Sequence, residues 1–240
     1  DLAAVVWFLN VEAGIAAWSP PSIQLIARSS TGSTGKASCA IADNKVYCWG
    51  SANTYGQLGT NDNTTVSYIP RQVTDPNGVL VGKKITGLAL ANTGTVCVVA
   101  SNVPYCWGRG QYGALGDNTT SDRYYPSAVT TSGVLANKTI TDITAGDGHV
   151  CVVASGAAYC WGANGSGRIG DGSTTQRNTP VAVSTSGVLS GKTVTNIAGE
   201  SGTTCAVASG AAYCWGDDTN GNLGNDTTIA GSTTPVAVNA

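Results

Sequence analysis

The eight cysteines of this 240-residue chain form four pairs with one spacing. In each pair the second cysteine lies nine positions after the first and opens the tripeptide Cys-Trp-Gly. Paired cysteines form disulfides, remain reduced as structural thiols or bind a metal. A structural zinc site usually spaces its paired thiolates by two to four residues and gathers four ligands. The spacing therefore favours disulfides, and no metal is expected. The pairs are Cys39 with Cys48, Cys97 with Cys106, Cys151 with Cys160 and Cys205 with Cys214.

The residues between the paired cysteines have the pattern of a β-hairpin. If Ser155-Gly156 is a two-residue turn, Cys151 faces Cys160 on a non-hydrogen-bonded pair of strand residues. Opposite Cα atoms approach to about 4.5 Å at such a pair, which is within disulfide range. The sequence therefore predicts four disulfides, each confined to one hairpin. The corresponding turns are Asp43-Asn44, Ser101-Asn102 and Ser209-Gly210.

The disulfides and the composition indicate the cellular compartment and the kinds of partner to expect. Persistent disulfides require an oxidising compartment, so we expect a secreted or cell-surface protein. Only 11% of the residues are charged, and the 32 glycines are typical of a turn-rich chain. The net charge is −2 and no cluster of Lys or Arg occurs. Because duplex binding needs a basic patch to neutralise phosphates, no nucleic-acid partner is expected.

The cysteine pairs mark a longer internal repeat. The second cysteines fall at 48, 106, 160 and 214, in steps of 58, 54 and 54 residues. The third unit contains four short segments with strand patterns, bounded by Gly, Asn and Thr. These segments are 139–143, 150–154, 157–161 and 179–183. We predict an all-β fold of four four-stranded blades over residues 22–240, without helical periodicity.

The residues after each second cysteine carry a family resemblance. The four stretches are CWGSANTYGQLG (48–59), CWGRGQYGALG (106–116), CWGANGSGRIG (160–170) and CWGDDTNGNLG (214–224). With the Gly148-His149 pair before Cys151, they resemble the regulator of chromosome condensation repeat family over about residues 22–240. The resemblance implies a β-propeller, usually of seven blades, that acts through protein surfaces. Paired cysteines suit extracellular members of that family, and four units are fewer than seven.

Four units allow two arrangements of the propeller. The first unit begins at 23–27 without a preceding Thr-Pro-Val-Ala-Val strand, whereas the chain ends with one at 234–238. The C-terminal strand could complete the first blade and close the ring. The alternative is an open arc. We expect closure.

Residues 1–21 differ from the repeats and are predicted to form a short apolar arm or helix. Asn10 and Glu12 interrupt the apolar run, which makes a membrane anchor costly. The arm could pack on its own propeller, dock into a neighbouring subunit or remain as an anchor, and it is only loosely like a type IV pilin-like helix. We favour docking, which implies self-association. The side chains assigned to assembly are Val5, Val6, Trp7, Phe8, Leu9 and Trp18.

Residues able to do other chemistry are few. His149 is the sole histidine, and Thr95 and Thr203 occupy its position in other units, so a structural role is expected. Catalytic motifs are absent, and neither enzyme activity nor a cofactor is predicted. The Asn and Asp of the loops suit Asx turns better than calcium loops. Possible glycosylation sites are Asn63, Asn118, Asn137, Asn164 and Asn225.

The function we favour from the sequence is a non-enzymatic structural or adhesive surface protein, possibly a subunit of a polymeric appendage assembled through the N-terminal arm. The alternative is a soluble ligand-binding propeller, either a lectin or a protein inhibitor. It would bind a glycan or another surface ligand through its rim loops. Those loops are 51–66, 109–124, 163–178 and 217–232. The tryptophans of Cys-Trp-Gly could stack on sugars, but wedges between blades account for them more simply.

Overall fold

The computed structural model describes residues 23–28, 36–227 and 231–239, and these form an all-β fold. The predicted N-terminal arm, with all six side chains assigned to assembly, lies outside the described residues. Two short 3-10 turns, Gln111–Gly113 and Gly187–Leu189, accompany the strands. Neither they nor any other described helical segment has the length and apolar character needed to cross a membrane.

The described strands form four antiparallel sheets of four strands each. The first sheet contains β1 (Ile23–Arg28), β2 (Ala37–Ala42), β3 (Lys45–Gly50) and β4 (Ser67–Gln72). The second contains β5 (Ile85–Leu90), β6 (Thr95–Ala100), β7 (Val103–Gly108) and β8 (Arg123–Ala128). The third contains β9 (Ile140–Ala145), β10 (His149–Ala154), β11 (Ala157–Gly162) and β12 (Arg177–Ala182). The fourth contains β13 (Val194–Glu200), β14 (Thr203–Ala208), β15 (Ala211–Gly216) and β16 (Ser232–Ala237).

The central hairpin of each sheet has the predicted register. In the third sheet Ala154 pairs with Ala157, and Cys151 pairs with Cys160. Ser155 and Gly156 both have positive φ, 49° and 77°, as a two-residue turn that follows the strand twist requires. Local turn geometry therefore brings the two cysteines of a hairpin face to face.

The structure contains the four predicted disulfides. Their Cα–Cα distances are 4.0–4.1 Å, slightly closer than expected for an unbridged pair of strand residues. Each bridge joins neighbouring strands of one sheet, and no described cysteine is free. The prediction that each disulfide is confined to one repeat is confirmed. The bridges join Cys39 to Cys48, Cys97 to Cys106, Cys151 to Cys160 and Cys205 to Cys214.

The outer strand of each sheet corrects the prediction of ring closure. The C-terminal strand β16 pairs with β15 in its own sheet, rather than completing the first. The first sheet already has an outer strand, β4, which pairs with β3. Each outer strand contains one proline, which a sheet edge tolerates because the missing N–H faces away from the ladder. Within residues 23–28, 36–227 and 231–239, every unit thus supplies its own four strands, and the sheets follow one another as an open arc. The prolines are Pro70, Pro126, Pro180 and Pro235.

Three apolar cores lie between successive sheets. The cysteines of each sheet face the sheet that follows: Cys151 and Cys160, for example, pack with Val194 and Ile197 of the fourth sheet. The tryptophan of each following sheet enters the same core from the other side. Trp107, Trp161 and Trp215 are all fully buried. They are wedges between sheets, as the simpler interpretation held.

Candidate protein-binding rim

One end of the arc collects the loops that the sequence analysis singled out. Because strands alternate in direction, the turn between the first and second strands of a sheet lies at the same end as the loop between its third and fourth strands. We call this end the loop rim. It includes the loops 51–66, 109–124 and 163–178, and the described part of 217–232. The prediction that the repeat displays them together is consistent with this topology.

The polar loop residues are largely occupied in shaping the loops themselves. The backbone N–H of Thr64 donates to Asp62 Oδ1 (2.9 Å), that of Thr119 to Asp117 Oδ1 (3.1 Å) and that of Ser173 to Asp171 Oδ1 (3.0 Å). These are Asx turns, repeated in successive units as expected. The side chains of Asp117 and Asp171 also form ion pairs with Arg123 (2.8 Å) and Arg177 (2.6 Å).

A second polar position anchors the base of the loop in the first, third and fourth units, where it is Asn53, Asn164 and Asp218. Asn164 Oδ1 accepts a hydrogen bond from the Ile169 backbone N–H (3.0 Å), and its Nδ2 donates to the carbonyl oxygens of Ser173 and Thr175, both at 3.0 Å. The side chain of Asn164 is buried. This burial corrects the prediction of glycosylation at Asn164, because the amide nitrogen that would carry a glycan is committed inside the folded loop.

The remaining predicted sequons lie at more accessible positions. Asn63, Asn118 and Asn137 are exposed, and Asn225 is half-buried. Their glycosylation stays a prediction. Within the described ranges, no cluster of three or more His, Cys, Asp or Glu side chains is arranged to hold a metal ion. The loops are therefore polar scaffolds, and the groups they present outward decide what the rim can bind.

Tyrosine and arginine side chains are presented on this scaffold. The Arg109 guanidinium lies 4.5 Å from the centroid of the Tyr55 ring, a cation–π contact between loops of successive units. Tyr112 occupies the position in the second unit that Tyr55 holds in the first, and 49% of it is exposed. Its φ of 62° is uncommon for a bulky residue. The backbone there turns the ring toward solvent instead of into the core.

Arg168 extends this set in the third unit. Its Nη1 donates to the carbonyl oxygens of Asp147 (2.8 Å) and Ser201 (3.2 Å), which lie in the turns of the third and fourth sheets. Burial lowers the pKa of the Arg168 guanidinium, and the nearby carboxylates of Asp147 and Asp217 oppose that shift. The group remains a cation. Its Nε and Asp147 Oδ1 are buried without hydrogen-bond partners, so neither atom is accessible to a partner on the rim.

His149 lies beneath this rim and takes no part in it. Its Nε2 lies 2.9 Å from Thr204 Oγ1, and that hydroxyl donates to the Arg168 carbonyl (2.8 Å). The hydroxyl must therefore accept from Nε2–H, which leaves Nδ1 unprotonated and without a partner. Complete burial, with a smaller contribution from Arg168, lowers the pKa of His149 to about 3. A neutral imidazole linking the third and fourth sheets fits the structural role expected.

The sequence analysis missed the Tyr–Arg set, defined as Tyr55, Arg109, Tyr112 and Arg168. A signal was present: these residues lie next to glycines in the first three family stretches, and the fourth stretch carries Asp or Asn at the corresponding positions. The sequence could not show that they share one surface. Tyr55 and Arg109 are 54 positions apart, and only packing of successive sheets brings them into contact.

With this architecture established, comparison with known proteins identifies the class. The family model of the regulator of chromosome condensation (RCC1) repeat matches residues 43–98, 105–153 and 155–207. The chain belongs to the RCC1 repeat family. The resemblance noted in the Cys-Trp-Gly stretches is thereby confirmed.

Particular relatives are longer than this chain. It is 32% identical over 187 residues to the human probable E3 ubiquitin-protein ligase HERC4, covering 77% of this chain but 17% of HERC4. It is 31% identical over 183 residues to the ultraviolet-B receptor UVR8 of Arabidopsis thaliana, covering 76% of this chain and 39% of UVR8. The chain thus spans less than half of either relative.

Solved structures support the propeller fold. Human WBSCR16 superposes with a TM-score of 0.76 at 19% identity, over 94% of this chain and 55% of that one. Yeast RCC1 (Prp20), solved bound to Kap60, gives a TM-score of 0.73 at 19% identity, over 97% of this chain and 51% of that one. At these identities the likeness is one of fold. It agrees with an arc that corresponds to about half of a longer propeller chain.

Proposed function

We propose that this chain is a non-enzymatic, protein-binding propeller module that works outside the cell and holds its partner on the loop rim. The observation that carries the proposal is the Tyr–Arg set. Tyrosine and arginine are enriched among the residues that dominate protein–protein binding energy. Here they are mounted on loops whose backbone is already fixed by Asx turns and disulfide-linked strands, so little conformational entropy is lost on binding.

The chemistry of the rim favours a protein partner over a glycan. The loop carboxylates that could have bound sugar hydroxyls are partly satisfied by backbone N–H groups and by arginines within the loops. The groups at the rim are the exposed Tyr112 ring and the half-buried guanidinium groups of Arg109 and Arg168. Such groups suit a protein surface with carbonyl or carboxylate acceptors. A lectin remains the alternative function, and a glycan array without bound sugars would eliminate it.

The extracellular assignment is part of the proposal and is supported by the disulfides. Four bridges use every cysteine of the chain, a pattern that a reducing cytosol would not maintain. A role as a subunit of a surface appendage is a finer proposal. It is supported only by the apolar composition of residues 1–21. Changing Phe8 to Glu in the full chain should abolish that assembly and leave the propeller folded.

Single alanine substitutions test the binding surface. The wild-type chain is immobilised and exposed to the extracellular protein fraction of its source, and each captured protein is then titrated against the variants. Tyr112→Ala and Arg109→Ala should each weaken binding of the genuine partner about tenfold or more. Tyr68→Ala is the matched control, because Tyr68 lies on an outer strand and is 79% exposed.

Two results would decide against this proposal. A partner that binds Tyr112→Ala and Arg109→Ala as tightly as the wild type does not use the rim. Free thiols in the native protein, measured by alkylation before reduction, would remove the basis for the extracellular assignment. The two readouts are independent, so the rim could be rejected while the localisation stands.

A further inference from the structure

The end of the arc opposite the loop rim carries a repeated connection between units. We call this end the turn rim, because it holds the two-residue hairpin turns and the loops that lead from an outer strand to the next sheet. Three of these loops share the sequence Gly-Val-Leu-x-Gly-Lys, with Asn in place of the second glycine in one of them. They are 78–83, 133–138 and 187–192.

Backbone hydrogen bonds give these loops one conformation. The lysine at the end of each loop donates its N–H to the carbonyl of the leucine three positions earlier. Leu135 and Leu189 are buried in the cores between sheets, which fixes their loops from beneath. The bonds are Lys83 to Leu80 (3.1 Å), Lys138 to Leu135 (3.2 Å) and Lys192 to Leu189 (3.1 Å).

Hairpin turns of the preceding sheets hold two of the loops from the side. Asn44 Nδ2 donates to the carbonyl of Lys83, and Asn102 Nδ2 donates to that of Lys138, both at 2.6 Å. The ammonium group of each loop lysine lies over a buried tyrosine ring of the following sheet, so backbone and ring together set the position of the charge. The distances to the ring centroids are 4.6 Å for Lys83 and Tyr105, 5.4 Å for Lys138 and Tyr159, and 5.8 Å for Lys192 and Tyr213.

Positive charge is concentrated at the turn rim. Five of the six lysines of the chain lie there, with two aspartates, Asp43 and Asp75. Asp75 accepts hydrogen bonds from the backbone N–H groups of Val79 (2.9 Å) and Leu80 (2.7 Å). Within the described ranges, none of the five lysines forms an ion pair with a carboxylate. The rim is therefore positive, although the net charge of the chain is −2. Lys45, Lys84 and Lys192 are exposed, and Lys83 and Lys138 are half-buried.

Aliphatic side chains are exposed among these charges. Val81, two residues before Lys83, is 76% exposed. Val134, one residue before the buried Leu135, is 38% exposed. Exposed valines beside unpaired lysines suit a partner that offers negatively charged groups together with an apolar layer.

The repeat indicates the shape of that partner. Corresponding residues of successive propeller units are related by rotation about one axis, so they lie at one height along it. Lys83, Lys138 and Lys192 hold one position of the repeat and therefore face one plane. A flat partner can contact all three at once, and a lipid surface is flat, charged at its headgroups and apolar beneath them.

We propose that the turn rim binds a negatively charged lipid surface. The lysine ammonium groups pair with headgroup phosphates and carboxylates, and Val81 and Val134 reach the boundary of the acyl chains. The loop rim then faces away from the lipid and stays free to hold a protein partner. This contact goes beyond the proposed function and does not depend on it, because the two rims lie at opposite ends of the strands.

Co-sedimentation of the full chain with lipid vesicles provides the test. The wild type should bind phosphatidylcholine vesicles that contain phosphatidylserine, and should not bind vesicles of phosphatidylcholine alone. Binding should weaken as NaCl is added, since salt screens the lysines. The double variant Lys138→Gln with Lys192→Gln should bind about 30-fold more weakly, at about 1 kcal/mol for each lysine near the surface.

Lys36→Glu is the matched control for charge. It changes the net charge by the same two units, but Lys36 is exposed at the loop-rim end of β2. This variant should bind vesicles nearly as tightly as the wild type. Val81→Ser should weaken binding about threefold, because it removes one apolar contact. Tyr112→Ala should leave vesicle binding unchanged, which separates this contact from protein binding at the loop rim. Circular dichroism checks that each variant keeps its strands.

Any of five results would overturn the inference. The wild type could leave phosphatidylserine vesicles unbound even at low salt. The double variant could bind them as tightly as the wild type. Lys36→Glu could weaken binding as much as the double variant, which would indicate attraction by net charge alone. Binding could survive the double variant and be lost in Phe8→Glu, which would assign it to the N-terminal arm. Retention on a soluble acidic polymer without vesicle binding would assign the turn rim to a polymer.

Discussion

The middle sheets and the end sheets of the arc contain nearly the same repeat but differ in how deeply it is buried. All six residues of β6 and of β10 are buried, whereas β14 in the fourth sheet has buried residues only at alternate positions. In the first sheet β2 stays largely buried, and the difference falls on β3, where only two of six residues are buried. The strand sequences are similar, Cys-Val-Val-Ala in the middle units and Cys-Ala-Val-Ala in the fourth. Burial of a repeat is therefore set by whether a neighbour covers each face. Stability in such a molecule is a sum of unit terms and nearest-neighbour terms.

Electrostatics follow the same division. The ion pairs found among the described residues, Asp117–Arg123 and Asp171–Arg177, belong to the second and third units. The arginine position is Ser67 in the first unit and Ser232 in the fourth. Each middle unit thus combines a fully buried second strand with an ion pair in its loop. The following experiments compare corresponding positions in the two regions.

The largest difference is expected for the tryptophans. Trp161→Ala should lower the free energy of unfolding by about 3–5 kcal/mol, because it removes a fully buried indole and leaves a cavity between two sheets. Trp49→Ala should cost only about 1 kcal/mol in a dilute monomer, since its side chain is partly exposed. Urea unfolding at low protein concentration measures both. Equal losses of free energy would show that Trp49 is as well packed as the tryptophans between the sheets.

The disulfides should show a smaller difference. Replacing Cys205 and Cys214 together with alanine should cost about 2–3 kcal/mol, the loop-closure entropy of a short loop. The same change at Cys151 and Cys160 should cost about 1 kcal/mol more, because that bridge also packs against the fourth sheet. Calorimetry of the two double variants compares them. A larger loss of stability on replacing Cys205 and Cys214 than on replacing Cys151 and Cys160 would contradict the division into middle and end regions.

His149 should make the interface between the third and fourth sheets sensitive to acid. Its folded pKa of about 3 lies below the value of 6.5 for an exposed histidine. Between those values the unfolded chain binds a proton that the folded chain does not, so stability falls as the pH decreases from 6.5 toward 3. At pH 5 the loss is about 2 kcal/mol relative to pH 7.

Urea unfolding at pH 7 and pH 5 measures this loss. His149→Thr is the matched control, because threonine holds that position in the second and fourth units as Thr95 and Thr203. In the His149→Thr variant, the free energy of unfolding should no longer contain the pH-dependent contribution assigned to histidine. If wild type and variant respond identically to pH 5, the imidazole is not buried in its neutral form.

The smallest effect is expected for the loop ion pairs. Partial burial raises the pKa of Asp171, but hydrogen bonds from Ser173 and Arg177 outweigh it and hold that pKa below its usual value. Its stabilising contribution is therefore present above the unfolded pKa of about 4 and is lost as the pH falls through the folded value. Asp171→Asn should cost less than about 1 kcal/mol at pH 7.

Salt dependence checks the origin of that cost. The difference in free energy of unfolding between Asp171→Asn and the wild type should become smaller in about 1 M NaCl, where charges are screened within a few ångströms. Asn225→Ala in the fourth unit is the comparison, because Asn225 also accepts hydrogen bonds from within its loop but carries no charge. The loss of unfolding free energy caused by Asn225→Ala should not change with salt.

Local features were predictable because they depend on residues close in sequence. The two-residue turns, the hairpin register and the cysteine pairing follow from a period of two along a strand and from turns that Asn and Gly tolerate. The Asx turns likewise join residues two positions apart. The family resemblance added the propeller architecture, since the Cys-Trp-Gly stretches recur in register with these hairpins.

Contacts between units were not predictable from such patterns. The expected pairing of the C-terminal strand with the first sheet was wrong because each unit supplies its own outer strand, and β4 lacks the Thr-Pro-Val-Ala-Val pattern that marks β16. The sequence pattern at Asn164 predicts a glycosylation site, but folding of its loop buries the side-chain amide.

By itself, the sequence determined the repeat, its four strands, its disulfides and the polar turns that shape its loops. The tertiary structure decided which of four equivalent tryptophans are buried and which tyrosines and arginines share a rim. It also decided where the arc leaves a face uncovered. The physical reason is distance along the chain. Hairpins form between residues fewer than a dozen positions apart, whereas Trp161 finds its acceptor 47 positions away, through the packing of one whole sheet on another.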